Sequence, residues 1–261
     1  MSVSAESVPV EVTLRGGVGS RAGAYARTKV LNALSVAHGP VLHAHVVLDR
    51  RHDPAVERHA TAEATIDVNG ATVRAQAAAP TMPEAIDELE SRLRHQLVQL
   101  QERTRTRHRW TGVASEHEWR HGDLPRQRLP SFPRPLDSRE VVRHKSFASG
   151  PMTVDEAAYE MDLLDHDFFL YVDVDSGTPA VVHRLPEGGY GVQGGSGVGP
   201  SETVATVTHE PPPATMTDAQ ARVRLEADGE QFVFYLDGES GEGRVLYLRY
   251  DGHYGLITLA G

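Results

Sequence analysis

Apolar and polar positions alternate from Val8 to Leu14 (VPVEVTL), the mark of a half-buried strand. Gly16, Gly17 and Gly19 break the alternation, and Ser20 offers an N-cap for the next element. The spacing then predicts a helix from Arg21 to about Leu34, with Tyr25, Val30, Leu31 and Leu34 on its apolar side. Gly39 and Pro40 close that region, and a strand follows from Val41 to Leu48. Two more strands, Glu57 to Val68 and Ala71 to Ala78, meet across Asn69-Gly70, a favoured two-residue hairpin signal. Thr81 caps a second helix from Met82 to about Arg103, in which Ile86, Leu89, Leu93, Leu97 and Leu100 recur at helical spacing. This order predicts an N-terminal β-α-β-β-β-α domain over residues 1–106, a mixed sheet with two helices on one face.

The periodicity then stops. Pro125, Pro130, Pro133 and Pro135 lie among many arginines, and 107–139 reads as a flexible linker. As a coil, the stretch from 104 to 140 averages about 30 to 35 Å end to end. Beyond it one segment occurs twice. Met152 to Gly191 recurs from Met216 to Gly255 at an offset of 64, matching Phe168 with Phe232, Tyr171 with Tyr235, and Asp173, Ser176 and Gly177 with Asp237, Ser240 and Gly241. A one-residue slip pairs Arg184 with Arg249 before register returns at Tyr190 and Tyr254. Each copy reads as a short helix after Met-Thr and three strands, with a leading strand near Val141 in the first copy only. Thr153 with Glu156, and Thr217 with Gln220, have capping-box spacing. The predicted units span 140–195 and 214–261, joined by a linker at 196–213. Each is too small to be comfortable alone, so the fold class is α+β, with the two repeat units packed as a pseudo-dimer.

Charge divides the chain in the same place. Residues 1–150 hold 21 Lys+Arg against 17 Asp+Glu, and residues 151–261 hold 5 against 19; +4 and −14 give the net −10 of the whole. Two such halves meet different partners, or different faces of one partner. No run of about 18 apolar residues and no signal-like start is present, so a cytoplasmic protein with no membrane role is expected. Zero cysteines exclude disulfides, thiolate zinc sites and thiol catalysis.

Candidate chemistry is thin. Gly17-Val18-Gly19-Ser20-Arg21-Ala22 spells the GxGxxA of a dinucleotide site, but the preceding strand alternates and Asp49 lies some 30 residues on, where about 20 is usual. An enzyme of that type is the remote alternative. His43 and His45 share a strand face, with His59 farther along, yet no carboxylate or cysteine stands at ligand spacing. GGSGVGPS lacks the lysine of a phosphate loop. No catalytic residue, metal or cofactor is expected.

The second half resembles the C-terminal domain of long-form ribosome hibernation promoting factors. The resemblance rests on Val142, Arg143, Lys145, Phe147, Pro151-Met152-Thr153, Glu156-Ala157, Leu164, His166, Phe168 and Phe169. The second copy supplies the ending of the pattern in Arg249-Tyr250-Asp251-Gly252-His253-Tyr254-Gly255-Leu256-Ile257. Ala85-Ile86-Asp87, Leu89-Glu90 and Leu93-Arg94 are similar to the second helix of that family, which includes ribosome-associated inhibitor A. The doubled tail is similar to that of actinobacterial dormancy-associated translation inhibitors, induced under hypoxia.

The resemblance implies a hibernation factor, and no enzyme, that blocks translation in stress or dormancy. It implies binding in the decoding channel of the 30S subunit, against 16S rRNA and ribosomal proteins, in competition with mRNA and tRNA. Groove filling of that kind needs cations for phosphates more than base reading. The candidates are Arg21, Arg27, Lys29, Arg50, Arg51, Arg92, Arg94, Arg103, Arg105, Arg107 and Arg109, with RTRTRHR the densest run and Trp110 able to stack on a base. In the common family pattern a single tail pairs with that of another chain and joins two 70S ribosomes into a 100S particle. Here Phe168, Phe169 and Tyr171 are expected to pair with Phe232, Phe234 and Tyr235 inside one chain, because a linker of about 20 residues gives an effective concentration in the millimolar range. A monomer with an internal pseudo-dimer is the expectation, and a homodimer the alternative.

Overall fold

The computed structural model describes residues 8–51, 58–109, 134–147, 150–186, 188–196 and 207–259. The chain forms two compact units. In the first, β1 (Val10–Leu14) leads through α1 (Ser20–Leu34) to β2 (Val41–Arg50), and β1 and β2 pair in parallel. Then β3 (Ala60–Val68) and β4 (Ala71–Ala79) continue the sheet antiparallel, in the order β1-β2-β3-β4, and α2 (Met82–Arg109) closes the unit. Asn69 and Gly70 turn the β3–β4 hairpin with φ of 53° and 87°, the left-handed pair that this two-residue turn requires.

The helices cover one face, and the core beneath them is built from small residues. Ala44, Ala60, Ala62, Ala64, Ala75 and Ala77 alternate inward along the strands. Ala26, Val30, Ala33, Leu34, Ile86, Leu89, Leu93 and Leu97 meet them from the helices. Small side chains let the helix axes approach the sheet closely, as Gly23 does against Leu14. Helix α1 begins one residue earlier than expected, with Gly19 as its N-cap and no side-chain cap, so Ser20 is helical. Tyr25 lies at the rim of the core, and its hydroxyl donates to Asp87 at 2.7 Å. Thr81 and Glu84 close a capping box at α2, which runs six residues past the expected Arg103.

The second unit holds two five-stranded sheets. After a single 3-10 turn (Leu136–Ser138) come β5 (Val141–Phe147), β6 (Pro151–Met152), α3 (Val154–Leu163), β7 (Phe168–Asp173), β8 (Pro179–Arg184) and β9 (Tyr190–Gly194). The second copy gives β10 (Val207–His209), β11 (Ala214–Met216), α4 (Asp218–Asp228), β12 (Phe232–Asp237), β13 (Gly243–Leu248) and β14 (Tyr254–Leu259). The sheet orders are β10-β9-β8-β7-β6 and β11-β12-β13-β14-β5. Each copy therefore gives its leading strand to the other's sheet: β5 lies parallel to β14, and β10 parallel to β9. This corrects two sequence expectations. The leading strand is present in both copies, and β10 falls inside the stretch expected to be the 196–213 linker, where prolines and brevity disguise it.

The 64-residue offset holds without a slip. Arg184 N–H donates to Asp167 O and Leu248 N–H to Gln231 O, so Leu248 is the equivalent of Arg184, and the expected pairing with Arg249 does not hold. Equivalent side-chain bonds recur in the turns, Ser176 Oγ to Asp173 at 2.7 Å and Ser240 Oγ to Asp237 at 2.8 Å. Both capping boxes form, Thr153 with Glu156 and Thr217 with Gln220. Helix α3 covers one core with Ala157, Met161, Tyr171 and Tyr190, and α4 the matching one with Ala221, Leu225, Tyr235 and Tyr254. A third core joins the two sheets through Leu170, Val181, Phe234, Val245 and Leu259.

Candidate nucleic-acid interface

The cations of the first unit sort by the groups that already hold them. Lys29 on α1 bridges Asp87 and Glu90 of α2, each at 2.9 Å. Its hydrogen bonds to Glu90 and Asp87 hold the ammonium well above its ordinary pKa, and Lys29 in turn holds Asp87 below the usual carboxylate range. Arg92 donates to Gln76 O at 2.8 Å and pairs with Glu88 at 2.7 Å. Arg27 donates to Val10 O at 2.5 Å, tying α1 to β1. These three brace helices against each other and against the sheet, a structural role not expected from the sequence.

Arg58 pairs with Glu88 at 3.2 Å and Arg74 with Glu63 at 2.7 Å, which leaves a smaller set of cations with looser ties. Arg94 is about half exposed, with long contacts to Asn32 O at 3.4 Å and Glu90 at 3.5 Å. Arg21 opens the first turn of α1, which carries no acidic residue, and is exposed. Arg50 is exposed at the end of β2 with Arg51 beside it. Arg15, absent from the sequence candidates, joins this group. Its N–H donates to Leu48 O at 2.8 Å, and the next residue, Gly16 (φ 60°), lies so close that a Cβ there would be 1.9 Å from Arg50 O. The parallel pairing of β1 with β2 thus brings Arg15 and Arg50 to one end of the sheet. Its sequence signal was present, an arginine directly after the first strand, as Arg50 ends the second.

Helix α2 carries the backbone of Arg103, Arg105, Arg107 and Arg109 in its last turns; their side chains lie outside the described residues, as does Trp110. The charge is concentrated there. Residues 1–100 hold 10 Lys+Arg against 11 Asp+Glu, whereas residues 101–150 hold 11 against 6; −1 and +5 give the +4 of the whole half. The α/β body is close to neutral, and the cationic surplus begins at the exit of α2.

The six aromatic residues expected to pair the two copies divide by strand alternation. Phe168 and Phe232 stack with ring centroids 4.7 Å apart, Tyr247 stands 5.5 Å from Phe168, and His183 stands 5.3 Å from Phe232 edge-on. Phe234 joins the core between the sheets. Phe169, Tyr171 and Tyr235 point the other way, into the cores under α3 and α4, because odd and even positions of a strand take opposite faces. Burial raises the pKa of Tyr171 and of Tyr235, whose hydroxyl donates to Asp218 at 2.6 Å. His183 and Tyr247 are equivalent positions, each lying over a glycine of the next strand, Gly191 and Gly255.

Among the described residues no group of three or more His, Asp or Glu is placed to hold a metal, and no helix is long and apolar enough to cross a membrane. His45 meets Thr13 at 2.9 Å and stacks beside His43. The Gly17–Ala22 motif does lie between a strand and a helix, but the sheet turns antiparallel after β2, as in no dinucleotide-binding crossover.

A β-α-β-β-β-α body with a cationic exit, followed by a tandem pair of strand-exchanged α+β units, defines a two-part class of α+β protein. Comparison with known families gives the particular one. The sigma 54 modulation protein / S30EA ribosomal protein model matches residues 10–105, and the model of that family's C terminus matches twice, at 137–192 and 200–256. The chain belongs to this family, with its C-terminal domain duplicated. It is 32% identical over 149 residues to the dormancy associated translation inhibitor of Mycobacterium tuberculosis, an alignment covering 53% of each protein. It is 33% identical over 136 residues to a ribosome hibernation promotion factor of Picosynechococcus sp., covering 50% of this chain and 67% of that one. A ribosome hibernation promotion factor of Lactococcus lactis is 30% identical over 150 residues, covering 52% and 72%. The chain spans about half the length of the M. tuberculosis inhibitor that it matches.

Proposed function

We propose that this chain is a cytoplasmic ribosome hibernation factor whose first unit enters the decoding channel of the small subunit and excludes mRNA and tRNA. The observation that carries the reading is the distribution of cations. Lys29 and Arg92 are paired with Asp87, Glu90 and Glu88, and Arg27 is tied to Val10 O, while Arg15, Arg21 and Arg50 are exposed on a near-neutral body and four further arginines follow in the sequence at the exit of α2. A body of that kind fills a groove by shape and is held there by phosphate contacts along its rim. Inhibition then follows occupancy and fades with salt.

The tail completes its own pairing. Stacking of Phe168 on Phe232 and the reciprocal exchange of β5 and β10 use, within one chain, the kind of surface that would otherwise join two chains. The factor therefore acts as a monomer that keeps 70S ribosomes idle without coupling them.

Sucrose-gradient sedimentation of 70S ribosomes with the full chain tests both statements. Replacing Arg103, Arg105, Arg107 and Arg109 by Gln is expected to weaken co-sedimentation and to flatten the log–log salt dependence by about 0.7 to 0.9 for each phosphate no longer neutralised. Undiminished co-sedimentation would refute the channel reading, and a 100S peak formed by the wild-type chain would refute the internal pairing.

A further inference from the structure

The chain has two asparagines. Asn32 precedes an alanine inside α1, whereas Asn69 precedes Gly70 at the exposed tip of the β3–β4 hairpin. An Asn–Gly pair is the sequence most prone to deamidation, because the nitrogen after the asparagine attacks the side-chain amide and glycine puts no Cβ in its way. The space around Gly70 is open as well, with no atom within 4 Å of where a Cβ would stand. Val68 and Ala71 close the hairpin, so Gly70 lies beyond the ladder. Its N–H has another acceptor, and donates to Asp67 Oδ1 at 2.8 Å. On the other side of the turn, the Asn69 N–H donates to Pro40 O at 2.9 Å.

We propose that Asn69 is a deamidation site and that the Asp67 carboxylate sets its rate. In the reaction the Gly70 nitrogen gives its proton to solvent and bonds to Asn69 Cγ, the Cγ–Nδ2 bond breaks, and the amide nitrogen takes a proton from solvent and leaves as ammonia. Water then opens the succinimide to aspartate or isoaspartate. The carboxylate oxygen opposes the first step in two ways. Its charge disfavours the anionic nitrogen that must attack, and ring closure turns that nitrogen away from Asp67, which gives up a charge-assisted hydrogen bond. The hairpin thus keeps the residue that its left-handed φ of 53° favours, and slows the reaction which that residue invites. Isoaspartate would insert a methylene into the backbone, and a two-residue turn cannot lengthen without disturbing the register that pairs Val68 with Ala71. This inference is independent of the ribosome reading, because it uses only the groups of the turn.

The test incubates the full chain at neutral pH, folded and in urea, and follows the tryptic peptide from His59 to Arg74 by mass spectrometry, with isoaspartate read by enzymatic methylation. Conversion of Asn69 is expected to be fastest in urea. In the folded chain Asp67→Ala should convert it about tenfold faster than wild type, the factor to which one hydrogen bond to a charged group corresponds. Asp67→Asn keeps an acceptor in place, and hence the turn, and should fall between the two; fragment ions locate the converted residue. Amide exchange at Ala71 reports whether the hairpin of each variant is closed. Equal rates for the folded and unfolded wild-type chain overturn the proposal. So does a folded Asp67→Asn chain that converts no faster than wild type, or an Asn69 amide that persists in urea.

Discussion

Gly243 gives a test of the sheet-to-sheet contact in which the sign of the effect decides. It is buried in β13, and its backbone lies outside the left-handed region, so alanine meets no conformational penalty there. On an isolated sheet Gly243→Ala would stabilise by about 0.4 to 1 kcal/mol, through the unfolded chain. In this fold the added Cβ would stand 2.3 Å from Cβ and 2.9 Å from Cγ of Pro179 in the other copy, and 3.4 Å from the Phe234 ring. A proline ring cannot swing aside, so the sheets must separate locally, and overpacking of this kind costs about 1 to 3 kcal/mol. The net expectation is a loss of about 1 to 2 kcal/mol. Urea unfolding of the full chain, followed by far-UV circular dichroism, would register a lower midpoint at unchanged slope, by about 0.5 to 1 M for a slope near 2 kcal/mol/M. Pro179→Gly in the same chain removes the colliding atoms, so the double variant should recover most of the loss in a mutant cycle. Wild-type or higher stability for Gly243→Ala, or no coupling to Pro179, would show that the two sheets do not face each other as described.

Two further predictions concern the turns and caps that the copies share. Burial alone would raise the pKa of Asp173, but hydrogen bonds from Ser176 and Ser196 hold it below the ordinary 3.8, and Arg249 does the same for the partly buried Asp251. A folded-state pKa below the unfolded one adds stability above that pH and loses it as pH falls through the folded value, so the urea midpoint should drop below about pH 4, less steeply in Asp173→Asn; equal pH slopes for both chains would contradict the assignment. Thr217→Ala removes the side chain that accepts from Gln220 N–H at 3.3 Å, and a loss of about 1 kcal/mol is expected in the same unfolding assay, with α4 amides exchanging faster.

Much of this architecture was legible where local chemistry decides it. Asn69-Gly70 announced its hairpin, Thr81 and Thr217 announced their helices, and the repeat was visible as identical residues in identical turns. The exchange of β5 and β10 was not legible, because a strand's partner is a long-range property and a three-residue strand before three prolines has the composition of a loop. The aromatic strands misled for a related reason. Phe168 and Phe169 are both large and apolar, and a strand buried on two faces carries no polar position to say which face is which. The fate of the cations was partly written in the chain: Glu88 and Arg92 stand four apart on one helix, a spacing that pairs them. Lys29 could not be assigned, since its partners Asp87 and Glu90 become neighbours only when two helices pack.

The strand exchange also orders events in time. Val141 leaves the ribosome 113 residues before Tyr254, the first residue of the strand it must lie beside. Through that interval β5 has no sheet to join, and the copy that supplies it cannot complete its own sheet either until β10 has been made. Pairings of such long sequence separation form slowly. The first unit can fold as it emerges, while the tail stays incomplete until nearly all of its second copy has been synthesised.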